Sequence, residues 1–180
     1  MRGKDKGLIK LCGKPLIEYA INNLEPQVNA IFINANRNLD SYMCYNLPVV
    51  SDSFAGFHGP LAGMASCMRV IETDYMVSVP CDSPFLPNDL TDRLFRQLIS
   101  EQAEISVVHD GTRVQPTFSL IKTSLIDSLS TYLNSGERKI DTWFKQHNLT
   151  IVGLSDKTET FLNINSPEDI NAIEAKLETQ

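Results

Sequence analysis

Long apolar runs are missing from this chain: no stretch approaches the ~20 residues that a bilayer-spanning helix requires. Cysteine is sparse. Cys12, Cys44, Cys67 and Cys81 stand apart with no CxxC pair, which argues against a disulfide framework or a structural zinc site. Positive charge is in deficit, with 16 Lys and Arg against 22 Asp and Glu and a net charge of -6. That balance argues against a general binder of nucleic acid or of anionic membranes, although a local basic pocket for phosphates stays open. The three histidines, His58, His109 and His147, lack HExxH spacing and any Gly-x-Ser-x-Gly partner, so zinc-protease and serine-hydrolase chemistry is not expected. Behind the basic residues of Met1–Gly7 there is no apolar segment of secretory type, and the expectation is a cytoplasmic protein.

What remains is an ordinary globular composition: 180 residues, 42% apolar and 21% charged, enough for one domain with a real core. Leu16, Ile17, Ala20, Ile21 and Leu24 recur at helical spacing until Pro26. Ala30–Ile33, Pro48–Val50 and Tyr75–Val79 read as short strands, the first and third buried on both faces. A helix after Gly59-Pro60 carries Leu61, Met64, Ala65, Met68 and Ile71. Another, capped by Asn88, carries Leu90, Leu94, Leu98 and Ile99. The order α, β, β, α, β, α predicts a doubly wound α/β fold. Two strands follow around Ile105–Val108 and Thr117–Ile121 with only a turn between them. They predict an antiparallel pair and hence a mixed sheet. Helices around Leu125–Leu133 and Ile140–Gln146, with Trp143 and Phe144 in the core, a strand at Thr150–Gly153, and a helix opened by Ser166-Pro167 complete the chain.

In such sheets ligands bind beyond the carboxyl ends of the strands. Asn34-Ala35-Asn36-Arg37, Ser51-Asp52-Ser53 and Cys81-Asp82-Ser83-Pro84 fall at those ends. Asp82, fenced by Pro80 and Pro84, suits Mg²⁺, which takes one or two carboxylates with phosphates and water. The plainer reading is a turn aspartate bonding its own backbone. Lys6 is placed to neutralise a polyphosphate, or is simply solvated. Gly59-Pro60 can open a helix toward an anion, or can serve close packing. Asp110-Gly111-Thr112-Arg113 reads equally as a hairpin turn, Gly136-Glu137-Arg138-Lys139 as a charged surface loop, and Asn163 with Asn165 as amides serving backbone groups.

Taken in order and spacing, these segments resemble the molybdenum cofactor guanylyltransferases, the MobA family, over nearly the whole chain. The segments that carry the resemblance include Asp5-Lys6-Gly7, Gly13-Lys14-Pro15-Leu16, Asn34–Arg37, Asp52-Ser53, Gly59-Pro60-Leu61-Ala62-Gly63, Pro80–Pro84, His109–Arg113, Gly136-Glu137-Arg138 and Asn163–Pro167. The resemblance implies a single nucleotidyltransferase domain over 1–180, of Rossmann-like type. It implies an enzyme joining GMP from GTP to molybdopterin with Mg²⁺ and release of pyrophosphate. By position, Lys6, Asn34, Asp52 and Asp82 look like the GTP contacts, with Lys6 and Asp82 catalytic and Asp82 the Mg²⁺ ligand. Asp110, Arg113, Arg138, Asn163 and Asn165 look like the molybdopterin side. Other cofactor-biosynthesis proteins and recipient molybdoenzymes are the implied partners, with no nucleic acid and no membrane. Two alternatives remain: a non-catalytic molybdopterin carrier, and a cytidylyl- or sugar-nucleotidyltransferase of the same fold. Family members begin with a strand followed by a Leu-Ala-Gly-Gly loop and an Arg-Met-Gly element. Met1-Arg2-Gly3 corresponds to the tail of that loop, so the expected sheet lacks its first strand and Gly-rich loop.

Overall fold

The computed structural model describes residues 5–53, 59–155, 164 and 167–177. After a tight turn at Lys6–Leu8, a small antiparallel pair, β1 (Lys10–Leu11) and β2 (Lys14–Pro15), leads into α1 (Leu16–Leu24). The apolar stripe of α1 is buried as its spacing predicts, and Pro26 ends the helix in a single 3₁₀ turn. Next come β3 (Ile33–Asn34), α2 (Leu39–Met43), β4 (Val49–Val50), α3 (Pro60–Met68), β5 (Tyr75–Ser78) and α4 (Leu90–Ser100). The second half holds β6 (Ile105–His109), β7 (Val114–Lys122), α5 (Ile126–Asn134), α6 (Ile140–Phe144), β8 (Leu149–Gly153) and α7 (Pro167–Leu177).

The main sheet runs β5-β7-β6-β8 and is mixed: β7 is antiparallel to both neighbours, and β8 is parallel to β6. Side chains alternate across it, as strand geometry requires. Ile105, Val107 and Ile121 face Leu61, Met64, Leu129 and Trp143 of the helices on one side. Val108, Phe118, Leu120 and Val152 face Leu90, Leu94 and Leu98 of α4 on the other. The result is three layers, helix on sheet on helix. Among the described residues no helix is long and apolar enough to cross a membrane.

Three expectations change. Ile99 is 49% exposed, because it sits one residue, about 100° of helical rotation, from the Leu90–Leu94–Leu98 stripe. The cap of α4 falls on Asp89 rather than Asn88, and its carboxylate takes Arg93 Nε (2.8 Å) instead of a backbone amide. The third concerns the strands expected at Ala30–Ile33 and Tyr75–Val79. Only Ile33–Asn34 of the first is paired, parallel to β4. β5 pairs with β7 alone and is half-buried along its length. Burial on both faces needs neighbours on both edges, and among the described residues no strand lies between β3 and β5. A cavity of about 1030 Å³ separates them, lined by Ile31, Phe32, Asn34, Val77, Val79 and Asp82 among others. Ser166, the cap expected for α7, lies outside the described residues.

Candidate functional site

The ends of β3, β4 and β5 meet the Asp5-Lys6 turn at one side of the molecule. Lys6 Nζ donates to Asp82 Oδ2 at 2.8 Å, with the lysine side chain 44% exposed and the aspartate 8%. Asp82 lies four residues past β5, and its carbonyl accepts the Ile164 amide at 3.0 Å, which fixes the turn by backbone alone. Asp5 is the hub on the other side. Tyr42 Oη and Asn38 Nδ2 donate to its two oxygens at 2.5 and 3.1 Å, and Arg37 Nε lies 3.5 Å away. Burial, followed by the hydrogen bond to Asp5, raises the Tyr42 hydroxyl well above the usual phenol range, so Tyr42 acts as a donor. Gly7 is required by close approach: a Cβ there would lie 2.7 Å from Tyr42 Oη and 3.2 Å from Cys81 Sγ.

Asp52 follows β4 and is held by the end of β3. Asn34 Nδ2 donates to Oδ1 and Asn36 Nδ2 to Oδ2, both at 2.9 Å. Asn34 packs against α3, where a Cβ on Gly63 would sit 2.2 Å from its Oδ1. Asn34 and Asp82 line the same cavity. Lys6, Asn34, Asp52 and Asp82 therefore share one region, as their placement at successive strand ends predicts.

The other candidate residues are elsewhere. Asp110 accepts the amides of Thr112 (2.7 Å) and Arg113 (2.8 Å) and Gln115 Nε2 (2.6 Å), which is the hairpin-turn role. Burial pushes its carboxyl up, but these bonds and the Arg113 charge outweigh it and leave the group below the usual carboxylate range. Arg138 Nη1 caps the carbonyls of Leu133 and Glu137 at the end of α5. Asp110, Arg113 and Arg138 do not line the cavity shared by Asn34 and Asp82. Asn163 and Asn165 lie outside the described residues, as do Phe57 and His58 of the Gly-rich stretch. The sequence does not point to Tyr42, and it marks Asn36 and Gly63 only as members of the Asn34–Arg37 and Gly59–Gly63 segments, without their contacts. Only the left-handed Asn38 (φ 51°) opens α2, and neither it nor Tyr42 carries a motif of its own.

Two mutational and chemical consequences follow. Gly63→Ala is expected to displace Asn34 and, on the GTP-contact role that the resemblance implies for Asn34, to weaken nucleotide binding about 10-fold or more, because its methyl group occupies the amide's position. Titration calorimetry checks it, and unchanged affinity would refute the packing argument. Burial, then the charges of Asp82 and Asp5, push the Cys81 thiol up to about 12, and burial with Asp52 pushes Cys67 up to about 11. At pH 8 a disulfide reagent should titrate exposed Cys12 and Cys44 at once, and Cys67 and Cys81 only after unfolding. Both of these thiols bind their proton more tightly folded than unfolded. Their contribution to stability is thus full below pH 9 and declines as pH rises from 9 toward 12.

The fold, with its polar strand-end segments gathered at one side, is that of the nucleotidyltransferases. It superposes on molybdopterin-guanine dinucleotide biosynthesis protein A from Archaeoglobus fulgidus with a TM-score of 0.82 at 20% identity, over 99% of this chain and 93% of that one. It also superposes on 2-C-methyl-D-erythritol 4-phosphate cytidylyltransferase from Thermus thermophilus with a TM-score of 0.73 at 14% identity, over 96% and 94%. The chain belongs to the MobA-like NTP transferase domain family, which matches residues 1–151. Curated relatives named molybdenum cofactor guanylyltransferase include those of Shewanella woodyi, 47% identical over 93% of this chain and 86% of that protein, and Shewanella pealeana, 45% identical over 93% and 84%.

Proposed function

We propose that this chain transfers GMP from GTP to molybdopterin, forming the guanine dinucleotide form of the molybdenum cofactor and releasing pyrophosphate. The observation that carries the reading is the common region of Lys6–Asp82 and Asn34–Asp52, where a phosphate-type and a base-type group lie at neighbouring strand ends. Asp52 presents a carboxylate whose two oxygens accept, and guanine offers two adjacent N–H donors on its pairing edge. Cytosine offers acceptors at the corresponding positions, so the carboxylate favours guanine.

The reaction is a displacement at the α-phosphorus by a phosphate oxygen of molybdopterin, and it needs no protein nucleophile. Lys6 holds negative charge on the phosphates. Asp82 is the residue that would hold Mg²⁺. A carboxylate 6% exposed that already faces a cationic ammonium fits a hard cation, and a single such ligand suits an ion held largely by substrate phosphates. When bound, that ion supplies charge neutralisation to the triphosphate. The backbone bond between Asp82 and Ile164 keeps the carboxylate in place.

Calorimetric titration with GTP and CTP, each with Mg²⁺, tests the reading. Micromolar GTP binding with CTP weaker by about 10- to 100-fold is expected from the loss of one or two charge-assisted hydrogen bonds. A preference for CTP would assign a cytidylyltransferase instead. Molybdopterin binding without any nucleotide binding would assign a carrier.

A further inference from the structure

The geometry points to Asn36 as a positioning residue that sets the plane of the Asp52 carboxylate and so determines how well the site reads the amino edge of the purine. The inference rests on the guanine reading above. Asn34 and Asn36 flank Ala35 at the end of β3, and alternation along an extended chain sends both side chains to the same side. Each gives one N–H to a different oxygen of Asp52, and Asn36 Oδ1 also accepts the Asp52 backbone N–H at 2.8 Å. Asn36 thus clasps Asp52 twice, once through the main chain and once through the carboxylate.

The surrounding loop is held independently. Ser51 Oγ donates to the Ala35 carbonyl (2.9 Å), and the Ser53 amide donates to the buried Ser66 hydroxyl (2.9 Å), which itself donates to the Ala62 carbonyl (2.8 Å). Arg69 Nη1 donates to Ser53 Oγ at 3.0 Å. Main-chain position is therefore over-determined without Asn36, whereas the rotation of the carboxylate is not. Ionised, Asp52 has about four acceptor positions. The two amides take one on each oxygen and leave one on each for a ligand. That is the pattern two adjacent N–H donors require. Freed at Oδ2, the carboxylate can turn, and the paired presentation is lost. Asn34 lines the cavity and neither Asn36 nor Asp52 does; Asn36 is bonded to Asp52, so its effect on a base read by that carboxylate passes through Asp52.

The test compares GTP with inosine triphosphate, which lacks only the 2-amino group, by calorimetric titration with Mg²⁺ present. In the unaltered chain GTP should bind about 10-fold more tightly, the worth of one such hydrogen bond. Asn36→Ala should weaken GTP about 10-fold, leave inosine triphosphate within about 2-fold, and erase the preference. Asn36→Asp keeps the shape and the acceptor for the Asp52 N–H, and replaces the donor to Oδ2 with a carboxylate oxygen that repels it. It should erase the preference too, by turning the carboxylate away, while Asn36→Ala does so without an added charge. Retention of the preference in both variants overturns the inference. So does equal weakening of the two nucleotides, which is what general loosening of the loop would produce. Equal binding of the two by the unaltered chain would instead overturn the guanine reading, and this inference with it.

Discussion

Asp82→Ala should lower the rate of GMP transfer by about 10²- to 10³-fold, the range seen when one preorganised electrostatic contact to a reacting group is removed. Two observations argue that the fold survives. The backbone carbonyl of Asp82 keeps its bond from the Ile164 amide whatever the side chain. Lys6, the other member of the pair, is 44% exposed and is therefore not stranded as a buried charge. The pair is half-screened, so its loss should change unfolding free energy by no more than about 1 kcal/mol. Steady-state transfer assays beside denaturant titrations separate the two effects. Asp82→Asn keeps the shape without the charge and should be nearly as inactive. Full turnover by either variant would remove Asp82 from the chemistry.

Trp143→Ala should cost about 3–5 kcal/mol of stability, the largest loss expected from a single truncation here. Trp143, on α6, is 0% exposed and packs in the core with the sheet, α3 and α5. Its indole N–H donates to Ser128 Oγ at 3.2 Å, and its ring meets that of His147 edge-on at 4.9 Å between centroids. Ser128 Oγ in turn lies 3.0 Å from His147 Nε2, with Glu104 Oε2 3.6 Å from the other ring nitrogen. Truncation opens a cavity and takes a donor from this half-buried group at the same time. Trp143 is the single tryptophan of the chain, so circular dichroism rather than fluorescence must follow urea unfolding. Ile151→Ala, at a site 50% exposed, is the control and should cost under about 1 kcal/mol. A Trp143→Ala loss as small as the control's would mean that the helical layer over β6 and β7 does not depend on this side chain.

The parts of the fold that were legible in the sequence share a feature: local pattern and tertiary demand agree. The α1 stripe, the turn-linked β6–β7 pair and the buried Trp143-Phe144 each follow from spacing and side-chain type alone. Ile99 and the paired length of β3 were misread because apolar character is not burial. A residue beside a stripe points elsewhere, and a strand is only as long as its partner. Tyr42 carried no signal, and Asn36 and Gly63 stood in quoted segments without a partner, since an amide, a phenol and a small residue gain meaning only from what lies opposite them. Asp110 and Arg138 were candidates by position, and the structure gives each a backbone-satisfying role.

The order of strand-end motifs was written in the chain itself: Lys6, the Asn34–Arg37 segment, Asp52, and Asp82 between its prolines. It sufficed for the fold class and the resemblance, because turns at strand ends need particular residues wherever the strands lie. The tertiary structure alone decided which of these groups touch. Lys6 reaches Asp82 and Asn34 reaches Asp52 because parallel β3 and β4 and the neighbouring β5 bring their carboxyl ends to one side, across sequence separations that no local pattern encodes.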